Sequence, residues 1–231
     1  MISLVSCICP TADRRGFLPA PLRSYLAQDW PRKELIVIDD GSDAVEDVFS
    51  DVPDCVYIRL GIKQRIGVKR NLACEAARGE IICHWDDDDW SAASRISDQV
   101  ERLTSSAKAV TGYHSLLFWD GMRGFKYQGG PDYALGSSLF YLKEFWRRHE
   151  FIAEDHRRYE DNVFVQAARD EKQIIAADGG KLMVARIHAG NTAPKRPLDS
   201  PSQWIPVITS DIPEEFFTAI EQQKGEHAHA V

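Results

Sequence analysis

Short apolar runs that end on acidic or hydroxyl residues constrain this chain of 231 residues more than any other feature. Leu4 to Cys9 reads as a buried strand ending at Pro10-Thr11, and Leu35-Ile36-Val37-Ile38 as a second, closed by Asp39-Asp40-Gly41-Ser42. Cys55 to Leu60 is a third. Ile81-Ile82-Cys83-His84-Trp85 is a fourth and runs straight into Asp86-Asp87-Asp88-Asp89. Helical spacings separate them: Leu18, Leu22 and Leu26 until Trp30-Pro31, then Val68, Leu72 and Ala76 until Gly79. Ile96, Val100 and Leu103 place another helix after the acidic run, and Ala109-Val110-Thr111 a further strand. This alternation predicts an α/β fold with a mostly parallel central sheet and helices on both faces. Ligands of such sheets gather at the carboxyl ends of the strands, where Thr11, Asp39 and Asp86 all fall.

From about residue 115 the rhythm changes. Phe118-Trp119, Phe125-Lys126-Tyr127 and Tyr133-Ala134-Leu135 are separated by glycines and Pro131, which suggests short strands or loops. Helices are expected over Lys143 to Arg148 and Asn162 to Arg169, with a late strand at Leu182 to Ala185. Asn191 to Pro206 is rich in Pro, Ser and Thr and reads as a loop, one that could close over a bound ligand. Phe216, Phe217 and Ile220 suggest a short final helix, and Glu226 to Val231 a frayed tail. The expected organisation is one domain in two halves, residues 1–112 and 113–190, with a C-terminal extension over 191–231.

A formal charge of -7 argues against broad nucleic-acid binding, which needs a positive surface. No run is long and apolar enough to span a membrane, and the N-terminus lacks the pattern of a signal peptide. The five cysteines sit mostly in strand-like stretches, as buried free thiols do, which fits a cytoplasmic protein. Association with the inner face of a membrane stays compatible with these features, although the net acidity does not favour it.

Four adjacent carboxylates repel one another, and burial makes each costlier unless a cation compensates. Magnesium and manganese take oxygen ligands, often one or two carboxylates together with substrate phosphates. Asp86 to Asp89 therefore reads either as a metal site or as an acidic surface loop. Asp39-Asp40 is either a second strand-end carboxylate site or the cap of a following helix. Lys63, Arg65, Lys69 and Arg70 form either a solvated helix face or a phosphate-binding cluster. Glu160-Asp161 would cap a helix N-terminus or present a general base, and His188 is either structural or functional. Gly179-Gly180-Lys181 lacks the spacing of a nucleotide-binding phosphate loop.

Together these segments resemble the inverting GT-A glycosyltransferases of family 2. The resemblance is carried by Val5 to Thr11, Ser24 to Pro31, Glu34 to Ser42, Ile66 to Ala73, Ala77 to Ile82 and Asp86 to Trp90, in that order. It weakens over residues 110–190 and fades beyond them. The resemblance implies a nucleotide-sugar-binding GT-A fold and metal-dependent inverting transfer from a nucleotide-diphospho-sugar, a UDP-sugar favoured, to an acceptor hydroxyl. The acceptor would be sugar-containing or lipid-linked, as in surface polysaccharide synthesis, and the metal Mn2+ or Mg2+. By the same resemblance Pro10, Thr11, Asp39, Arg70, Asp86 and Asp87 would face the donor. Asp88 and Asp86 would bind the metal, with His188 near the diphosphate or the metal, and Asp161 would be the base. Asp89 would orient its neighbours or approach the donor sugar, and Asp87 would serve the donor or simply face solvent. The alternatives are a sugar-phosphate nucleotidyltransferase, for which Cys9 to Gly16 is a poor phosphate loop, and a non-catalytic nucleotide-sugar binder.

Overall fold

Residue parity along the strands explains why this sequence folds into a sheet covered on two sides. The computed structural model describes residues 3–152, 159–193, 195–199 and 202–228. In chain order its elements begin with β1 (Val5–Thr11), α1 (Pro19–Leu26), β2 (Lys33–Asp39), α2 (Glu46–Phe49), β3 (Cys55–Arg59), α3 (Ile66–Ala76) and β4 (Ile81–His84). Next come β5 (Trp90–Ser91), α4 (Arg95–Ser106), β6 (Val110–Trp119), β7 (Gly124–Gln128), β8 (Phe140–Leu142), α5 (Lys143–Arg148) and α6 (Glu160–Asp170). The last are β9 (Ile174–Asp178), β10 (Met183–Arg186), β11 (Trp204–Val207) and α7 (Glu214–Ala228).

The main path of the sheet runs β11-β7-β6-β8-β4-β1-β2-β3. β4, β1, β2 and β3 are parallel, β8 is antiparallel to both β4 and β6, and β9 and β10 pair in parallel with β6. Ile8, Ile36, Ile38 and Ile82 face one side, against Ala73 and Cys74 of α3, Phe145 of α5 and Phe164 of α6. Their sequence neighbours Cys7, Cys9, Leu35, Val37, Ile81 and Cys83 face the other, against Tyr25 of α1 and Ile96, Val100 and Leu103 of α4. Strand side chains alternate between faces, so a slip of one residue would exchange the two sets and strand both cores. No helix among the described residues is long and apolar enough to cross a membrane.

Several expectations change. In α1 the leucine stripe is only partly the buried face: Leu18 is buried and Leu22 packs against the core, but Leu26 is 49% exposed, and Ala20, Pro21, Ser24 and Tyr25 are buried as well. The helix is wedged under Trp85, whose indole N–H donates to the Pro21 carbonyl at 3.1 Å. In α3 the fully buried positions include Lys69 and Arg70 beside Ala73 and Cys74, while Leu72 and Ala76, partly buried, pack against the same core. Ion pairing thus adds to the packing of that helix, a contribution that hydrophobic periodicity does not register. Phe118-Trp119 belongs to β6, a single strand of ten residues, whereas Phe125 to Tyr127 falls in the short strand β7 as expected. The loop predicted to Pro206 ends earlier, because Trp204 to Val207 pair with β7. The final helix is longer than the short one expected, and residues 229–231 of the tail lie outside the described residues.

Glu34, fully buried on β2, ties the start of the sheet together. It accepts hydrogen bonds from Ser6 Oγ at 2.6 Å and from the backbone N–H and Nε of Arg78 at 2.7 Å each. Burial pushes its carboxyl upward, but the Ser6 and Arg78 hydrogen bonds outweigh this and hold it below its ordinary value. Glu34→Gln is therefore expected to cost about 1.5–3 kcal/mol at neutral pH. A depressed carboxylate contributes above its unfolded-state value and loses that contribution as pH falls through the folded one. The gap between wild type and variant should consequently shrink in denaturant titrations taken from neutral pH to below about pH 4. An equal gap at both ends would contradict the assignment.

Candidate active site

Several strands and the two helices α3 and α6 converge on a cavity of about 800 Å³ at the carboxyl edge of the parallel strands. β1 delivers Pro10 and Thr11 to its wall. The chain then turns at Asp13, whose φ of 56° lies in the left-handed region. Asp13 Oδ1 accepts from the Ser42 hydroxyl at 2.7 Å, which fastens the ends of β1 and β2 together. A Cβ on Gly41 would overlap the Asp13 amide nitrogen, so the close approach of these two turns requires glycine there. Lys69 reaches from α3 to donate to the Thr11 carbonyl at 3.1 Å and to Asp40 Oδ1 at 2.8 Å.

Asp39 is fully buried and is not among the residues on the cavity wall. Its carboxylate accepts from the Gly41 N–H at 2.8 Å and the Tyr57 hydroxyl at 2.5 Å, and pairs with Arg59 at 2.9 Å. It braces the β2 turn, and Asp40 takes the neighbouring contact with Lys69. The basic cluster divides in the same way: Lys69 and Arg70 are 7% and 3% exposed, whereas Lys63 and Arg65 are exposed.

The acidic run occupies the tight connection between β4 and β5. Asp87 does not face solvent, the second of the two roles expected for it. It is 2% exposed, and Arg14 Nη1 donates to its Oδ1 at 2.7 Å and to Asp88 Oδ2 at 2.8 Å. Asp88 Oδ2 also accepts from His188 Nε2 at 2.9 Å. The Gly190 N–H donates to His188 Nδ1 at 3.1 Å, which leaves Nε2 as the nitrogen that donates to Asp88. Phe17 stacks on that ring with centroids 4.3 Å apart. Asp89 accepts from the Arg186 N–H at 3.0 Å. Burial and the neighbouring Asp88 push Asp87 up to about 6, and burial likewise raises Asp86 and Asp89.

Asp86, Asp88 and Asp89 each offer an oxygen, and the three lie within 4.8 Å of one another. Asp86 Oδ1 and Asp87 Oδ2 are buried without a hydrogen-bond partner. A hard divalent cation would satisfy this set: clustered carboxylate oxygens, partly unpaired and destabilised as anions. Asp89 joins the candidate ligands, and the sequence did not single it out for that. Arg14 was also missed as a partner of the run, although its position just past the first strand end was a usable signal.

On the opposite wall, Arg70 of α3 pairs with Glu160 at the start of α6 and lies 3.6 Å from Asp86. One buried guanidinium thus links the acidic run to the first turn of α6, where Asp161 follows and lines the cavity. Gly136 lies directly against Asp161: a Cβ there would overlap Oδ2 and stand 2.8 Å from Cγ. Among the sequence candidates, the structure gathers Pro10, Thr11, Arg70, Asp86, Asp87, Asp88 and Asp161 around one cavity. His188 is joined to them through Asp88, and Asp39 stays behind the wall.

The sequence matches the family described as "Glycosyl transferase family 2" over residues 6–168. The chain belongs to that family. Curated relatives include the "Putative teichuronic acid biosynthesis glycosyltransferase TuaG" of Bacillus subtilis (strain 168), 31% identical over 126 residues, covering 51% of this chain and 49% of TuaG. A second is the "Putative colanic acid biosynthesis glycosyl transferase WcaA" of Escherichia coli (strain K12), 33% identical over 99 residues, covering 41% of this chain and 36% of WcaA. The family 2 chain thus spans about half or less of the curated relatives it matches. Among solved structures, S. aureus TarS 1-349 in complex with UDP-GlcNAc superposes with a TM-score of 0.69 at 20% identity, covering 85% of this chain and 63% of that one. The mannosyltransferase PcManGT from Pyrobaculum calidifontis, in complex with GDP-Man and Mn2+, gives 0.64 at 17% identity, covering 85% and 59%. At such identities these structures share the fold, and a mixed central sheet flanked by helices is consistent with GT-A architecture.

Proposed function

We propose that this family 2 protein transfers a sugar from a nucleotide-diphospho-sugar, UDP-sugar favoured, to an acceptor hydroxyl with inversion at the anomeric carbon. The observation that carries this reading is the placement of Asp161 on the same cavity as the acidic run, with buried Arg70 between them. Residues 1–112 supply the donor half, 113–190 the catalytic and acceptor side, and 191–231 an extension of both. Pro10 and Thr11 contact the nucleoside end, and Asp39, released from Arg59, meets the base. Asp86 and Asp88, helped by Asp89 and by His188 in its other tautomer, would hold Mn2+ or Mg2+. A bound cation supplies Lewis-acid neutralisation of the diphosphate. Arg70 adds a fixed positive charge beside the departing group, and Asp87 keeps Arg14 turned toward it. As the acceptor oxygen bonds to the anomeric carbon, its proton passes to Asp161 and the bond to the diphosphate breaks. The names of TuaG and WcaA support a role in surface polysaccharide synthesis. The five free thiols suit a reducing cytoplasm.

Calorimetric titration with UDP-, GDP- and dTDP-sugars, with and without Mn2+, tests this directly. The expected result is UDP-sugar binding that needs the metal and raises the melting temperature as ligand saturates. Binding of equal strength in the presence of a chelator would count against the central claim.

A further inference from the structure

The end of the cavity farthest from β2 and β3 has a different chemistry, and the transfer mechanism above does not use it. Trp204, Tyr127 and Tyr133 line it, all three half-buried. Trp204 stands opposite Tyr127 in the antiparallel pairing of β11 with β7, their ring centroids 5.1 Å apart and edge to face. Phe118 of β6, buried behind them, holds the indole from below with centroids 4.7 Å apart. Tyr133 continues the wall. A Cβ on Gly129 would stand 3.2 Å from the Tyr133 ring and 3.4 Å from the Tyr127 ring, so both rings flank that one glycine. The Tyr133 hydroxyl then donates to Asn162 Oδ1 at 3.1 Å, and Asn162 directly follows Asp161. Aromatic rings and the Tyr133 hydroxyl thus lead from β11 toward the proposed base.

We propose that this wall is the acceptor subsite and that its ligand is a sugar ring, which makes the acceptor a glycan. The inference rests on the transfer reading and adds the class of acceptor to it. Sheet order separates the wall from the donor end. β11, β7 and β6 occupy one end of the sheet, β1, β2 and β3 the other, and the acidic run follows β4 between them. A nucleoside anchored at Thr11 leaves the aromatic end free on the Asp161 side. The rings are amphipathic, with apolar faces and polar edges interrupted by phenol hydroxyls and Asn162. That alternation matches a pyranose, whose C–H face is apolar and whose rim carries hydroxyls, and it breaks the continuous apolar floor a lipid chain would need. Trp204 also lies beyond residue 168, where the family match ends.

The test is titration of short oligosaccharides of glucose, galactose, mannose and N-acetylglucosamine into protein preloaded with UDP and Mn2+. A serine-bearing peptide and a polyprenyl phosphate serve as rival ligands. At least one oligosaccharide should bind, and Trp204→Ala and Tyr127→Ala should each weaken it about tenfold or more. Trp204→Phe and Tyr127→Phe, which retain a ring, should recover most of that loss. UDP affinity, measured on every variant, should stay at the wild-type value and reports that the fold and donor end are intact. Failure of the wild type to bind any of UDP, GDP and dTDP would sink the transfer reading itself. With UDP bound, the wall assignment is overturned if no oligosaccharide binds, if only the peptide or lipid does, or if Trp204→Ala binds glycan as well as wild type.

Discussion

Asp161→Asn is expected to lower sugar transfer by about a hundredfold or more while donor affinity changes by less than about threefold. The substitution is nearly isosteric, and the contact the carboxylate makes survives it. Asp161 Oδ1 accepts the Asn162 N–H at 2.7 Å, and the amide oxygen of asparagine can accept the same bond. Folding should be little affected, because Arg70 keeps Glu160 as its partner. What the amide lacks is the capacity to take up the acceptor proton. Single-turnover transfer measured beside UDP-sugar affinity separates the two roles. Loss of transfer with intact binding identifies a base, and transfer at the wild-type rate would remove Asp161 from the mechanism. The result also decides between an enzyme and a non-catalytic binder, since a binder has no use for this carboxylate.

Most of the parallel half of the sheet was legible because β1, β2 and β4 are buried on both faces and read as continuous apolar runs. The acidic residues at the ends of β2 and β4 identify the edge on which ligands gather. β8 and β9 were not legible: Phe140–Leu142 is three residues long, and Ile174–Asp178 is only half-covered. Such strands are defined by the neighbours they pair with and carry little pattern of their own. The site divides along the same line. Adjacent carboxylates in Asp86 to Asp89 are conspicuous in one dimension, whereas the Arg14 bridge to Asp87 and Asp88 spans more than seventy positions. The fate of Asp39 was hidden for the same reason, because Tyr57 and Arg59, which brace it, come from a different strand. Helix α3 was half legible. Its spacing marked the helix, and Leu72 and Ala76 do pack against the core, but the buried pairing of Lys69 with Asp40 and of Arg70 with Glu160 joins distant segments and leaves no periodic signal.

A single methyl group at position 136 should separate the geometry of the proposed base from its chemistry. Gly136→Ala is expected to reduce transfer by about a hundredfold, with donor affinity and melting temperature close to wild type. The added Cβ would overlap Asp161 Oδ2, so either the backbone or the carboxylate must move. The backbone is held from several directions. His84 Nδ1 donates to the Gly136 carbonyl at 2.7 Å, and burial, reinforced by the nearby Arg70 charge, keeps that imidazole neutral. Arg95, 1% exposed, donates from Nη2 to the Ser137 carbonyl at 3.0 Å and to the His84 carbonyl at 2.8 Å. Rotating the Asp161 side chain about its own torsions costs little beside breaking these buried bonds, about 1 kcal/mol against several. The carboxylate therefore swings aside, and a displacement on the order of 1 Å at a reacting group is enough to cost two orders of magnitude. An alanine variant that unfolds would show that the loop yields first. One that transfers at the wild-type rate would show that the reaction does not depend on where this carboxylate points. In the expected outcome, the double variant Gly136→Ala with Asp161→Asn loses hardly more activity than either single change, because both remove the same contribution.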